Sequence, residues 1–162
     1  MKHLIMVRHG KSSWELGVED RDRPLKERGV NDAHKVSRHF GSYSIVPDMV
    51  YSSPAIRALH TCVIFLRTLK IPYHKFSLSD RLYVFSGNEL IDFLRDLPDS
   101  KDKIMVFGHN HAFTDMVNEL GDVHIDNVPT TGLVHLSFNI KQWRDIGGGK
   151  TERVLIPKEL KI

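Results

Sequence analysis

Short apolar runs alternate along this chain with segments whose apolar residues fall at helical spacing. Nothing else in the sequence constrains the fold as strongly. Residues 4–7 (LIMV), 49–51 and 104–107 (IMVF) have the length and apolar content of buried strands. Residues 25–40 place Val30, Ala33, Val36 and Phe40 on one helical face. Ser53 is a good N-cap and Pro54 suits a first helical position, so a second helix is expected over residues 54–69. Leu90, Ile91, Leu94 and Leu97 mark a third helix, stopped by Pro98, and Ala112, Phe113, Met116, Val117 and Leu120 mark a fourth. Residues 73–76 form a weaker strand. Residues 133–138 and 154–156 are closing strands, joined through a turn at Gly147, Gly148 and Gly149. This order predicts an α/β fold, a three-layer α/β/α sandwich with a mostly parallel central sheet and helices on both faces. With 162 residues, 41% hydrophobic and 27% charged, the chain is expected to be one domain over residues 1–162.

In such a sheet, ligands bind beyond the carboxyl ends of the strands. Arg8 and His9 close the first strand, Arg57 follows the second by one helical turn, and His109 closes the strand at 104–107. Two arginines and two histidines, far apart in sequence, are therefore expected on one rim. Two guanidiniums aimed at one point suit an oxyanion with several oxygens, because each forks bidentately onto phosphate or carboxylate. The amino terminus of the second helix would add backbone donors beside Arg57. A histidine in that setting can attack phosphorus and carry the phosphoryl group, and a second can stabilise its equatorial oxygens.

Several competing classes lose ground. The net charge of +3 is spread along the chain with no run of Lys/Arg, so neither nucleic-acid binding nor a membrane surface is demanded. Cys62 stands alone within the stripe Leu59, Cys62, Val63 and Leu66, and reads as a small core residue. Only four consecutive apolar residues precede Arg8, too few for a signal peptide or a span, so a cytoplasmic protein is expected. "GGGKT", residues 147–151, has Arg144 where a P-loop needs its first Gly, and a strand-like segment follows it. His109 and His111 lack supporting carboxylates at metal-ligand spacing.

"VRHGKSSW", "YSSPAIRALHT" and "VFGHN", in that order, resemble the histidine phosphatase superfamily, or phosphoglycerate mutase-like fold. "DRPLKERG", residues 22–29, is similar to the family's Pro-Leu-x-x-x-Gly entry to its first long helix. The resemblance spans roughly residues 3–138, and its compactness looks most like the SixA-type phosphohistidine phosphatases. It implies that His9 is the nucleophile, that Arg8, Arg57 and His109 form the phosphate pocket, and that no metal or cofactor is used. Ser12 or Ser13 would add a hydroxyl contact, or else cap a following helix; Lys11 stands where many members carry an acid.

The resemblance also departs at Asn110 of the late Gly-His-Asn, and, with most consequence for substrate, in one further segment. "DRLYVF", residues 80–85, places Val84 where other branches carry a proton-donating Glu, and the substitutes Asp80, Glu89 and Glu15 also read as caps or surface charges. Without an acid the leaving group must be good. An alkoxide has a conjugate-acid pKa of roughly 16, an imidazole about 6.5. Only 51 residues separate Arg57 from His109, which leaves little chain for a lid. A phosphohistidine phosphatase acting on a signalling or carrier protein is therefore expected. Its rival within the class is a small-molecule or phosphoserine/threonine/tyrosine phosphatase; a non-catalytic phosphate-binding module is the reading from a different class.

Overall fold

The structure is a computed structural model that describes residues 1–161. Six strands form one sheet in the order β3-β2-β4-β1-β5-β6: β1 (Lys2–Arg8), β2 (Met49–Ser52), β3 (Phe76–Leu78), β4 (Lys103–Gly108), β5 (Leu133–Phe138) and β6 (Lys150–Leu155). Strands β1 to β4 pair in parallel, and β5 runs antiparallel to both its neighbours. Helices α1 (Glu27–Gly41) and α2 (Ile56–Thr68) cover one face, α3 (Gly87–Arg95) and α4 (Ala112–Leu120) the other. The architecture is the expected three-layer α/β sandwich.

The central strands are apolar because they are covered on both sides. Leu4 and Met6 of β1, with Ile104 and Val106 of β4, face α3 and α4. Ile5, Val7, Met105 and Phe107 face α1 and α2, where Cys62 is also fully buried. None of the described helices is long and apolar enough to cross a membrane.

Three elements depart from the sequence reading. Helix α2 starts at Ile56 with Ala55 at its N-cap and no side-chain cap, so neither Ser53 nor Pro54 opens it. The expected strand at 73–76 is a 3-10 turn, Tyr73–Lys75, in which the Lys75 N–H bonds the Pro72 carbonyl. Pairing with the short β2 begins only at Phe76. Strand β6 begins at Lys150, earlier than the expected 154. It is an edge strand bearing Lys150, Glu152 and Arg153, and charged edges hide from apolar patterning.

Parallel pairing of β1, β2 and β4 sets Arg8, Ser52 and Gly108 at one edge of the sheet. The loop leaving β1 is laid against the entry to α1: Ser13 N–H bonds Pro24 O at 2.8 Å and Lys26 N–H bonds Lys11 O at 2.8 Å. Gly29 makes this possible. A Cβ there would overlap the Lys11 carbonyl and stand 2.9 Å from the Lys11 nitrogen, both of them backbone. Inside a helix, Gly→Ala ordinarily stabilises by about 1 kcal/mol. Here Gly29→Ala is expected to destabilise by about 1–3 kcal/mol, as overpacking does. A lower urea midpoint at unchanged slope is the expected result, and a raised midpoint would contradict the close approach.

Candidate active site

The chain turns sharply at the end of β1. His9, nearly buried, directs Nδ1 at its neighbour's carbonyl, Gly10 O, at 2.7 Å. A carbonyl only accepts, so Nδ1 carries the ring proton and Nε2 is left as a lone pair. The Gly10 N–H is held by Thr61 Oγ1 at 2.9 Å, and the Thr61 hydroxyl donates to Arg57 O at 2.7 Å. Thr61, fully buried one turn along α2 from Arg57, thus ties the His9 loop to the helix that carries the arginine.

Arg57 is 2% exposed and its three donor nitrogens are all engaged. Nε points at His9 Nε2 at 3.4 Å, Nη1 donates to Asp20 O at 2.6 Å, and Nη2 to Asp20 Oδ2 at 3.0 Å. Arg8 donates from Nη1 to Val128 O at 2.9 Å, while its buried Nε has no partner. His109 approaches from the end of β4, its ring centroid 5.3 Å from that of His9. Its Nε2 lies 2.8 Å from Ser53 Oγ, and its buried Nδ1 has no partner. The two unpaired nitrogens, on Arg8 and His109, suit a bound oxyanion.

Both imidazoles are neutral near pH 7. Burial, opposed by the Gly10 hydrogen bond and reinforced by Arg57, Arg8 and Arg23, holds His9 down to about 3. Burial does the same for His109, also to about 3, with a protonated His9 and the Arg57 guanidinium each disfavouring a further positive charge beside them. A neutral His9 with a free Nε2 beside a fixed guanidinium is a nucleophile that needs no base.

Asp20 and Arg23 complete the lining and Tyr83 holds Asp20 from outside it; the sequence reading gives neither Asp20 nor Tyr83 a role in the site and names Arg23 only within the family-like segment at residues 22–29. Burial raises the Asp20 pKa, but hydrogen bonds from Tyr83 and Arg57 outweigh it and bring the carboxyl down to about 2. Tyr83 Oη donates to Asp20 Oδ2 at 2.6 Å and Arg23 Nε to Oδ1 at 3.2 Å. Arg23 also donates to Ser12 Oγ at 2.8 Å and stacks 3.5 Å from the Trp14 ring centroid. Asp20 and Arg23 lie in a loop without periodicity; the sequence signals are the cluster of charge before Pro24 and, for Arg23, its place in the family-like segment at residues 22–29.

The resulting cavity, about 270 Å³, is lined by Arg8, His9, Arg57 and His109 together with Ser12 and Lys11. Ser13 does not line it; its hydroxyl accepts the Glu15 N–H at 3.1 Å. Val84 does not line it either: it packs on the core beside α3 and α4, and Phe85 is the residue of that segment that reaches the cavity. Glu15, Asp80 and Glu89 are exposed and stand outside it. Among the described residues, Asp20 is the one carboxylate lining the cavity, and it is held ionised.

Arg57→Lys keeps a charge but loses the fork that bonds Asp20 and the Nε that faces His9. Vanadate affinity is expected to weaken and turnover to fall by about 10²–10³-fold, as when one preorganised oxyanion donor is removed. Unchanged kinetics and inhibition would place Arg57 outside the working pocket.

Comparison with known proteins gives a consistent picture at two scales. Residues 4–78 match the family model of the histidine phosphatase superfamily (branch 1). An uncharacterised chloroplastic protein of Arabidopsis thaliana is 41% identical over 61 residues, 37% of this chain and 28% of its own length. A 2,3-bisphosphoglycerate-dependent phosphoglycerate mutase of Bradyrhizobium diazoefficiens is 38% identical over 71 residues, 41% of this chain and 33% of the mutase. These alignments thus span about a third of the relatives' length. The structure of the protein histidine phosphatase SixA complexed with tungstate superposes with a TM-score of 0.84 at 18% identity, covering 98% of this chain and 99% of that one. At that identity the likeness is one of fold.

Proposed function

We propose that this chain, which carries the sequence signature of the histidine phosphatase superfamily over residues 4–78 and its fold over nearly the whole length, is a phosphatase working through His9 on protein-bound phosphohistidine. The observation that carries the reading is His9 itself: neutral, its proton fixed on Nδ1 by Gly10 O, its Nε2 lone pair set 3.4 Å from Arg57 Nε.

The reaction takes two displacements. His9 Nε2 attacks phosphorus while the bond from phosphorus to the substrate nitrogen breaks, and that nitrogen keeps the electron pair. If the substrate ring is protonated on its other nitrogen, it departs as neutral imidazole. His9 is then an Nε2-phosphorylated ring still protonated on Nδ1, and Gly10 O holds that proton. Water next attacks phosphorus, the Nε2–P bond breaks, its proton passes to phosphate or solvent, and His9 returns to its starting tautomer. Arg8, Arg57 and the free His109 Nδ1 surround the equatorial oxygens.

The lining of the cavity supports this choice of substrate class. Its lining carboxylate is ionised and paired, and half-buried Val84 packs against the core outside the cavity, so among the described lining residues no carboxylic acid stands ready to protonate an alkoxide. Trp14, 75% exposed, and Phe85, 49% exposed, line the cavity and offer apolar surface to a partner that brings its phosphoryl group on a side chain. The phosphoglycerate mutases among the sequence relatives favour a second reading, a small phosphorylated acid as substrate. Rates on a phosphohistidine peptide, a phosphoserine peptide and a phosphoglycerate, measured on one preparation, decide between them.

A further inference from the structure

The hydroxyl of Ser53 has no part in capping α2, yet it is wholly buried and placed against the pocket histidine. We infer that Ser53 is a positioning residue that fixes the tautomer of His109, so that Nδ1–H, rather than a lone pair, is presented to the phosphoryl oxygens.

The protons shared by Ser53 and His109 distinguish the two tautomers. Ser53 Oγ accepts the Ala55 N–H at 3.2 Å and lies 2.8 Å from His109 Nε2. The one hydroxyl proton needs an acceptor. If His109 is protonated on Nδ1, Ser53 donates to the Nε2 lone pair, and every polar atom on the Ser53 side is satisfied. If His109 is protonated on Nε2, Ser53 Oγ must accept twice, its own proton has no partner in a buried site, and the Nδ1 lone pair is left toward an anion. Each tautomer leaves one buried donor unpaired, Nδ1–H in the first and the Ser53 hydroxyl in the second, but the second also leaves the Nδ1 lone pair without a donor, and one more unsatisfied buried polar atom costs about 1–3 kcal/mol. That is enough to decide the tautomer. The relay then runs from the Ala55 amide through the Ser53 hydroxyl to the His109 ring and ends at Nδ1, the one atom of the relay without a partner.

This deepens the phosphatase reading and rests on it only for the consequence for turnover; the tautomer is a property of the free protein. Long-range ¹H–¹⁵N spectra of the histidine-labelled protein should show His109 protonated on Nδ1. In Ser53→Ala the ring should move to the Nε2–H form or to a mixture, with vanadate affinity and turnover down by about 10- to 100-fold. In a His109→Ala background, Ser53→Ala should then cost no more than about twofold, because its effect passes through the ring. A wild-type spectrum with His109 protonated on Nε2 overturns the inference by itself, even should Ser53→Ala fail to fold, and does not touch the role of His9. A full additive loss in the His109→Ala background overturns it as well. Nδ1–H in a protein that binds vanadate but turns over no phosphorylated substrate would uphold the tautomer and sink the phosphatase.

Discussion

His9→Ala is expected to lose turnover by about 10⁴-fold or more, the scale on which removing a covalent nucleophile acts. Rapid quench of the wild-type enzyme with labelled substrate should trap a phosphoenzyme that is acid-labile and base-stable, as an N–P bond on imidazole is, and His9→Ala should trap none. The choice of His9 over His109, whose ring lies 5.3 Å away, is geometric. His109 has Nε2 tied to Ser53, and proton counting places a hydrogen on its other nitrogen. His9 has its proton drawn off to Gly10 O, and its second nitrogen is open to the cavity beside Arg57. Label that persists in His9→Ala would move the nucleophile to His109 and reverse the two roles. The variant removes a side chain only 7% exposed, so retention of the wild-type urea midpoint should be checked first.

What could be seen in the sequence, and what could not, follows from burial. Strands β1 and β4 are covered on both faces and read as plain apolar runs; β6, at an edge with charged residues, does not. Arg8, His9, Arg57 and His109 were legible as a group because parallel strands bring their carboxyl ends together whatever the intervening chain does. Asp20 was not, and Arg23 only as part of the family-like segment at residues 22–29, because they sit in a loop tied by hydrogen bonds to Ser12 and Arg57 on other segments of the chain. Ser53 illustrates a subtler failure. Its residue type and the following proline both suit a helix start, and only the structure shows the hydroxyl spent on His109 instead. Val84 failed through orientation. Alignment by motif places it at an acid's position, but the 3-10 turn at Asp80–Leu82 brings the next residue, Phe85, to the cavity and leaves Val84 on the core.

That orientation changes what a test of substrate must look like. A carboxyl installed at half-buried Val84 would stand outside the cavity and replace a side chain packed on the core, so Val84→Glu is expected to destabilise without creating an acid. The informative experiment leaves the protein alone and varies the substrate. Between an alkoxide and an imidazole lie about nine units of leaving-group pKa, or about 12 kcal/mol of basicity. A loose transition state, as in most analyses of phosphoryl transfer, feels only part of this difference; one quarter would still amount to about 3 kcal/mol, or roughly 100-fold in rate. Phosphohistidine and nitrophenyl-type phosphates should therefore turn over while phosphoserine lags by two orders of magnitude or more, and a series of aryl phosphates should slow steadily as the leaving group becomes more basic. Asp20 is the residue the series interrogates. Held near 2 by Tyr83, Arg57 and Arg23, it has no proton to give at neutral pH. Equal rates on phosphoserine and phosphohistidine would mean that substrate binding breaks that cluster and protonates Asp20, and the assignment to phosphohistidine would fall with the premise that the pocket lacks an acid.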